Sequence, residues 1–251
     1  MIPLHIIQSI RAATEVAVLT GAGVSAESGI PTFRDALTGL WANFRPEQLA
    51  TMAGFRRDPA LVWGWYRMRR QSVVATRPNA GHVALARMGR LVPRLTLITQ
   101  NVDGLYQRAG SHEVVELHGN IGRVKCSECG RAADSWSDDP TVPRCPACGG
   151  LLRPDVVWFG ELLPAEAIAL AQARAATCDV FLSVGTSNLV EPAASLPWIA
   201  ARRGTPVVVI NTATEGQQTA RNIHYLVGRS GELLPQLVES VWPGQCGPDH
   251  E

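Results

Sequence analysis

The chain has 251 residues, of which 46% are hydrophobic and 18% charged, and this composition is ordinary for a folded globular protein. A formal net charge of +1 gives no general electrostatic attraction to nucleic acid or to a membrane surface. No apolar stretch approaches the roughly 18 residues that span a bilayer, and the N-terminal residues lack the pattern of a signal peptide. We therefore expect a cytoplasmic protein that binds neither nucleic acid nor membranes.

The first strong pattern along the chain is a predicted strand that runs directly into a glycine-rich loop. Residues 16–20 (VAVLT) are typical of a buried strand, and residues 21–26 (GAGVSA) follow as G-x-G-x-x-A. Glycine lets backbone amides approach a pyrophosphate closely, so this order predicts a dinucleotide-binding turn. Without further context, the pattern fits a tight strand-to-helix turn equally well. Residues 28–31 (SGIP) then predict a turn where a helix would otherwise continue.

Predicted strands and helices alternate through most of the remaining chain. Further strands are expected at residues 95–99, 114–117, 179–184 and 206–210. This alternation predicts an α/β fold with a doubly wound parallel sheet, of the Rossmann-like type. Because ligands bind at the carboxyl ends of parallel strands, the loops after these strands should face one crevice. The acidic ribose ligand of ordinary Rossmann enzymes, about 20 residues beyond the glycines, has no clear counterpart.

Four of the six cysteines form two C-x-x-C pairs that are separated by 15 residues: Cys126, Cys129, Cys145 and Cys148. This spacing is typical of tetrahedral zinc, and four thiolates leave no open coordination position, so the predicted metal is structural. Acidic and basic residues balance in this segment, which argues against a nucleic-acid-binding ribbon. We place the zinc module at residues 122–152, a Rossmann-like domain at 10–35, 90–121 and 153–242, and the helical part of a small domain at 36–89.

Among the six histidines, His118 has the setting most suggestive of a catalytic role. It follows a predicted strand, precedes Gly119, and lies in sequence between residues 100–103 (QNVD) and the zinc module. A single histidine is more often structural than catalytic. At the predicted crevice, however, a neutral imidazole with a pKa near about 6.5 suits a general base at physiological pH.

These motifs together resemble the sirtuin family of NAD-dependent protein deacylases. The matching segments occur in the family's order across about residues 14–240, and they are residues 21–34, 99–105, 117–119, the four cysteines, 157–161 and 185–187. The resemblance implies that NAD is consumed as a co-substrate. An acyl-lysine oxygen attacks the ribose, nicotinamide leaves, and the products are free lysine and O-acyl-ADP-ribose. Acylated lysines of proteins are therefore the implied partners, and zinc is an implied structural ion.

The resemblance also implies which residues bind each group, with His118 as base and Asn101 as the second catalytic residue. For NAD the implied residues are Gly21, Ala22, Gly23, Ala26, Glu27, Pro31, Thr32, Phe33, Arg34, Trp41, Gln100, Asn101, Val102, Asp103, Gly185, Thr186, Ser187, Asn211, Thr212, Ala213 and Ser230. For the acylated peptide they are Ala50, Tyr66, Arg69, Val157, Phe159, Gly160 and Glu161. Residues 156–161 would pair with the peptide backbone as an added strand.

The segment that bears on acyl specificity is Tyr66-x-x-Arg69, within a predicted helix. At i and i+3 both side chains emerge on one helix face, where a phenol and a guanidinium can hold a carboxylate. From spacing alone, an arginine on a solvated face is the more common outcome. The pair resembles the acyl-carboxylate clamp of class III sirtuins, which remove succinyl and malonyl groups, and Ala50 matches the small residue that widens their acyl pocket. The resemblance therefore implies activity on acidic acyl groups as well as on acetyl.

Two other functions stay open from the sequence. The same kind of site could transfer a single ADP-ribose to protein, or the chain could be a non-catalytic sensor of NAD or ADP-ribose. A carboxylate clamp argues against the transferase, because that reaction has no acyl group to hold. The presence of Phe33, Asn101, Asp103 and His118 argues against the sensor, because a binder needs no base beside the ribose.

Overall fold

A parallel sheet of six strands lies at the centre of the computed structural model, which describes residues 2–31, 44–133, 139–213 and 220–245. A second sheet has three antiparallel strands. The strands are, in chain order, β1 Glu15–Thr20, β2 Arg94–Thr99, β3 Val114–Glu116, β4 Gly119–Cys126, β5 Ala132–Ala133, β6 Leu152–Val156, β7 Val180–Val184, β8 Val207–Asn211 and β9 Ile223–Val227. The helices are α1 Leu4–Ala12, α2 Ala22–Ala26, α3 Pro46–Leu49, α4 Met52–Arg57, α5 Pro59–Ala75, α6 Ala80–Leu91, α7 Leu105–Arg108, α8 Ala165–Thr177, α9 Leu196–Arg202 and α10 Ser230–Val241.

The large sheet has the order β3-β2-β1-β7-β8-β9, which confirms the predicted doubly wound α/β fold. β1 pairs in parallel with both β2 and β7. The chain moves outward from β1 to β3 on one side and from β7 to β9 on the other. The loops after β1 and β7 therefore diverge at a switch point, where open α/β sheets bind their ligands.

Helices cover both faces of the large sheet, and this explains why its strands are continuous apolar runs. Successive strand residues point to opposite faces. Accordingly, Val16 and Val18 of β1 belong to a core with α1, α6 and α10, whereas Ala17 and Leu19 belong to a core with α8 and α9. Within the described residues, no helix combines the length and the apolar character that crossing a membrane requires.

Helix α5 joins the rest of the molecule to the small sheet, which has the order β5-β4-β6. The helix begins as the sequence predicts, with Asp58 accepting a hydrogen bond from the Leu61 N–H at 3.0 Å and Pro59 in the first turn. Trp63 on α5 is fully buried against Cys126 and Cys145 of the small sheet unit. The same helix therefore carries both a contact to the cysteine-rich module and the predicted acyl-clamp residues.

The segment of residues 156–161 differs from the extended strand that the sequence suggested. β6 ends at Val156, and the chain turns at Gly160, where φ is +85°. The Val157 and Phe159 N–H groups donate to the His118 and Ala50 carbonyls, both at 2.9 Å. These bonds tie the segment to both sides of the molecule and leave fewer free backbone groups for an added strand.

Two further elements were not expected from the sequence. β9 lies at the edge of the large sheet and pairs only with β8 among the described strands, so its short run has little of the apolar continuity that predicts a buried strand. The small sheet runs from β4 to β6, so it extends on both sides beyond the predicted module of residues 122–152.

Candidate active site

A cavity of about 530 Å³ opens where the loops after β1, β2 and β7 converge. Its size lies in the range of about 300–1,000 Å³ that is typical of small-molecule sites. α5 and the segment after β6 close its other side. Most of the sequence-predicted site residues line it: Gly21, Ala22, Gly23, Pro31, Ala50, Tyr66, Arg69, Gln100, Asn101, Val102, Asp103, His118, Val157, Phe159, Gly160, Glu161, Gly185, Thr186 and Ser187.

The glycine loop after β1 is in direct backbone contact with the loop after β7. A Cβ atom on Gly21 would lie 2.7 Å from the Thr186 Cβ, and one on Gly23 would lie 2.8 Å from the Gly185 carbonyl oxygen. The Gly23 N–H donates to that same oxygen at 2.8 Å. Space therefore requires both glycines, and the close approach leaves a backbone surface against which a pyrophosphate fits.

Polar side chains from the loops after β1 and β2 form a buried network. Asn101 donates through Nδ2 to the Gly21 carbonyl at 3.1 Å and to Ser25 Oγ at 3.0 Å. Ser25 Oγ donates in turn to Asp103 Oδ2 at 2.7 Å, and the Leu105 N–H donates to Asp103 Oδ1 at 2.9 Å. Burial raises the pKa of Asp103, against the effect of these bonds. The network holds the two loops in a fixed geometry at the cavity wall.

His118 lies between β3 and β4, where the large sheet leads into the small one. Its Nδ1 lies 3.0 Å from the Gln100 carbonyl oxygen, which can only accept, so Nδ1 carries the proton and Nε2 the basic lone pair. Burial lowers the pKa of His118, although the Gln100 carbonyl acts in the opposite direction. The imidazole is therefore neutral at physiological pH and is suited to act as a base.

Tyr66 and Arg69 project from α5 into the same cavity. Tyr66 is only 2% exposed, and burial raises the pKa of its phenol to about 12, so it keeps its proton. The Arg69 guanidinium lies 4.8 Å from the centre of the Trp65 ring, a cation–π contact that orients it. Burial lowers the pKa of Arg69. The remaining lining on this side is mostly apolar, with Ala50, Val73, Ile121 and Val156 among its members.

Several predicted cofactor residues lie outside the cavity lining. Glu27 accepts hydrogen bonds from the Ser230 N–H at 2.8 Å and the Gly231 N–H at 3.1 Å. Its carboxylate thus caps α10 and fixes Ser230 relative to the glycine loop. Asn211 donates through Nδ2 to the Thr186 carbonyl at 3.1 Å, which places the loop after β8 beside the loop after β7. Ala26, Thr212 and Ala213 also lie outside the lining, and Thr32, Phe33, Arg34 and Trp41 lie outside the described residues.

The four cysteines of the small sheet unit come together as the sequence predicts. Their sulfur atoms all lie within 4.8 Å of one another, with Cys126 and Cys148 Sγ 3.4 Å apart and Cys129 and Cys145 Sγ 3.9 Å apart. Tetrahedral zinc with Zn–S bonds of about 2.3 Å needs sulfur separations of about 3.8 Å. The cluster therefore fits a structural zinc ion.

Sequence reasoning missed several residues of the cavity wall. Ser25 belongs to the glycine-loop motif, and Trp158 to the motif of residues 157–161, so both could have been found from their neighbours. The signal is weaker for the others, because apolar side chains at these positions look like ordinary core. They are Ile30, Val73, Ile121, Leu163 and Val190, together with the acidic Glu191.

The chain is similar to known proteins of one family over most of its length. Residues 21–192 match the model of the Sir2 family. The chain is 47% identical over 248 residues to NAD-dependent protein deacylase 1 of Pseudomonas aeruginosa, covering 95% of this chain and 99% of that one. It is 48% identical over 249 residues to an NAD-dependent protein deacylase of Methylococcus capsulatus, covering 94% and 96%. Among solved structures, a Sir2 homologue in complex with NAD superimposes with a TM-score of 0.89 at 42% identity, covering 96% of this chain and 94% of that one. The chain therefore belongs to the Sir2 family.

Proposed function

We propose that the chain is an NAD-dependent protein-lysine deacylase that favours acyl groups ending in a carboxylate, such as succinyl and malonyl. One observation carries this proposal. Tyr66 and Arg69 line the same cavity as His118 and the two glycine loops. A cation and a phenol in an otherwise apolar channel, beside a base, are suited to hold the far end of an acidic acyl chain while its near end reacts.

The residues of the sheet side would hold NAD. The Gly21–Gly23 and Gly185–Ser187 backbones would receive the pyrophosphate, and Gln100 and Asp103, which line the same cavity, would contact the ribose. When bound, NAD supplies the ribose carbon that accepts the acyl oxygen. His118 Nε2 takes a proton from a ribose hydroxyl, and its Nδ1 stays bonded to the Gln100 carbonyl throughout. Asn101 keeps the loops after β1 and β2 together at the reacting end.

On the side of the cavity opposite the sheet, the groups that would face the acyl chain are buried. Whether the acyl chain carries a charge therefore affects how strongly it binds. An acetyl group ends in a methyl group, which offers no hydrogen-bond acceptor to the Arg69 guanidinium or to the Tyr66 hydroxyl. A succinyl carboxylate can accept from both, and the guanidinium can bind it through two parallel hydrogen bonds. Hydrogen bonds to charged groups contribute about 1.5–3 kcal/mol. The small side chain of buried Ala50 leaves room for the longer chain.

The decisive test compares matched acetyl-, malonyl- and succinyl-lysine peptides with NAD, by mass spectrometry, for the wild type and Arg69→Met. The substitution removes the charge but keeps an unbranched side chain of similar reach. We expect the ratio of succinyl to acetyl kcat/KM to fall by about 10- to 150-fold, which corresponds to the loss of 1.5–3 kcal/mol.

Arg77→Met is the matched control, because Arg77 is exposed just beyond the end of α5 and does not line the cavity. Its ratio should equal that of the wild type. If the wild type removes acetyl but not succinyl or malonyl, the proposed preference is wrong while the deacylase stands. If none of the three peptides loses its acyl group, the deacylase itself is wrong.

A further inference from the structure

Trp158 connects Tyr66, on the acyl side of the cavity, to the ion pair between buried Arg153 and half-buried Glu161. The indole is 2% exposed, and its Nε1–H donates to the Tyr66 hydroxyl oxygen at 2.9 Å. The two rings lie 6.2 Å apart, and both residues line the cavity. Tyr66 is therefore already engaged on one side before any substrate enters.

The hydrogen-bonding capacity of each group determines which way the phenol proton faces. An indole N–H is a donor only, whereas a phenol has one O–H donor and two acceptor lone pairs. Because Trp158 uses one of those lone pairs, the Tyr66 O–H has to point away from the indole. It is then available as a second donor in the cavity that Arg69, three residues along the same helix, also lines. A carboxylate accepts from both, whereas an acyl methyl group accepts from neither.

The indole itself is held from two directions. The Arg153 guanidinium, 2% exposed, lies 3.4 Å from the centre of the Trp158 ring. Arg153 also forms an ion pair with Glu161, with Nη2 to Oε2 at 2.9 Å. Glu161 Oε2 in turn accepts from the Trp158 backbone N–H at 2.8 Å. The ion pair thus fixes both the backbone and the ring of Trp158, so the direction of its N–H is set before binding.

We propose that Trp158 is a positioning residue for acyl selectivity: by donating its indole N–H to Tyr66, it directs the phenol O–H toward the terminal carboxylate of the acyl chain. This rests on the proposed function, because it presupposes an acidic acyl group in the channel. Trp158 acts through Tyr66, and it does not contact the reacting atoms.

A double-variant cycle tests this role. Trp158→Phe keeps an aromatic ring and removes the donor. Replacement of Trp158 by benzothienylalanine, in which sulfur takes the place of the N–H, removes the donor at nearly unchanged volume and guards against a folding defect. We expect either change to lower the ratio of succinyl to acetyl kcat/KM by about fivefold, the loss of one neutral hydrogen bond. The change should be in KM for the succinyl peptide, because the carboxylate is held equally in the ground and transition states.

The second arm of the cycle repeats both changes in a Tyr66→Phe background. If Trp158 acts through the phenol, neither change should alter the ratio there, because interacting residues are not additive. Additive effects, or an equal loss of succinyl and acetyl activity from the benzothienylalanine variant, would overturn the positioning role. The Arg69→Met variant distinguishes a failure of this inference from a failure of the proposed function. A normal Arg69 effect with no Trp158 effect defeats only this inference, and a wild type inactive on succinyl-lysine defeats the proposed preference and this role together.

Discussion

The large and small sheets differ in what holds them together. The large sheet lies between two extensive clusters of buried side chains, one on each face. The buried cluster of the small sheet unit consists of Trp63, Val124, Cys126, Cys145 and Leu152. Two of these are proposed metal ligands, and Trp63 comes from α5. The large sheet can therefore be stable through burial alone, whereas we expect the small one to depend on a bound zinc ion and on the helix against which it packs.

The two sides of the active-site cavity also differ in what lines them. The sheet side of the cavity presents backbone from glycine loops that tolerate no added carbon atom. The opposite side presents side chains from α5 and from the segment after β6, notably Tyr66, Arg69 and Trp158. A wall of backbone groups suits the binding of NAD, because the same co-substrate is used whatever the acyl group. A wall of side chains can be altered by substitution, and this is where acyl specificity would be expected to vary.

Removing zinc should have the largest effect, and it should affect the two regions differently. Structural zinc contributes on the order of 10 kcal/mol to the folding of small domains. We expect Cys145→Ser to lose the ion, by elemental analysis, and to weaken binding of acylated peptide more than tenfold, because Trp63 on α5 loses its packing partners. NAD binding, measured by calorimetry, should change by less than about threefold.

Cys178→Ala is the matched control for the zinc experiment. Cys178 is buried on the face of the large sheet that packs against α8 and α9, away from the sulfur cluster. This variant should keep its full zinc content. Parallel loss of NAD and peptide binding in Cys145→Ser would show instead that the two regions fold as one unit.

Replacing His118 should give the next largest effect, since this residue lies where the two sheets meet. We expect His118→Tyr to lower kcat on the order of 10³-fold, the usual contribution of a general base, while zinc content stays unchanged. His112→Tyr, at an exposed position, should retain wild-type kcat. Because burial lowers the pKa of His118, the midpoint of the decline in wild-type kcat/KM on acidification should lie below pH 6.5. A midpoint above pH 6.5 would contradict the assignment.

His82 tests the stability of the sheet side against pH. It is fully buried on α6, and burial lowers its pKa to about 4. The unfolded chain takes up this proton near about pH 6.5, so lowering the pH favours unfolding. The contribution of His82 to the free energy of unfolding is complete at pH 7 and is lost between pH 6.5 and 4. The loss amounts to roughly 3 kcal/mol.

Urea unfolding at pH 7, 5.5 and 4 measures this effect. His82→Gln should be less stable than the wild type at pH 7 but should lose less stability on acidification. His112→Gln, exposed, should follow the wild type. An unchanged pH dependence in His82→Gln would show that other groups cause the acid sensitivity.

Gly21→Ala should have the smallest of these effects and should bear most directly on the backbone wall. The added Cβ would lie 2.7 Å from the Thr186 Cβ, so the two loops have to move apart. Overpacking of this kind costs about 1–3 kcal/mol, and we expect KM for NAD to rise by about tenfold. Gly89→Ala, at an exposed position of α6 with nothing near the added carbon, should not change KM. An unchanged KM for NAD in Gly21→Ala would show that the two loops move apart easily, and it would contradict a rigid backbone wall.

Much of the fold could be predicted because the relevant signals are local in the sequence. β1 and the glycine loop follow from an apolar run and the space requirement of a close turn, and the zinc site follows from cysteine spacing. The small sheet's extent and β9 could not be predicted in this way. Strand pairing at an edge depends on partners far away in the chain, and the turn at Gly160 depends on contacts to His118 and Ala50.

The fold class, the candidate base, the sulfur cluster and the presence of a phenol and a guanidinium three residues apart all follow from the amino-acid sequence. What those groups face depends on how distant segments pack. Periodicity cannot distinguish a solvated Arg69 from one in a cavity, and it does not show that the Glu27 carboxylate accepts hydrogen bonds from the first residues of α10. The contact of Trp158 with Tyr66 joins residues 92 positions apart. Such orientation arises from packing between distant segments, and it determines which donors are left for a substrate.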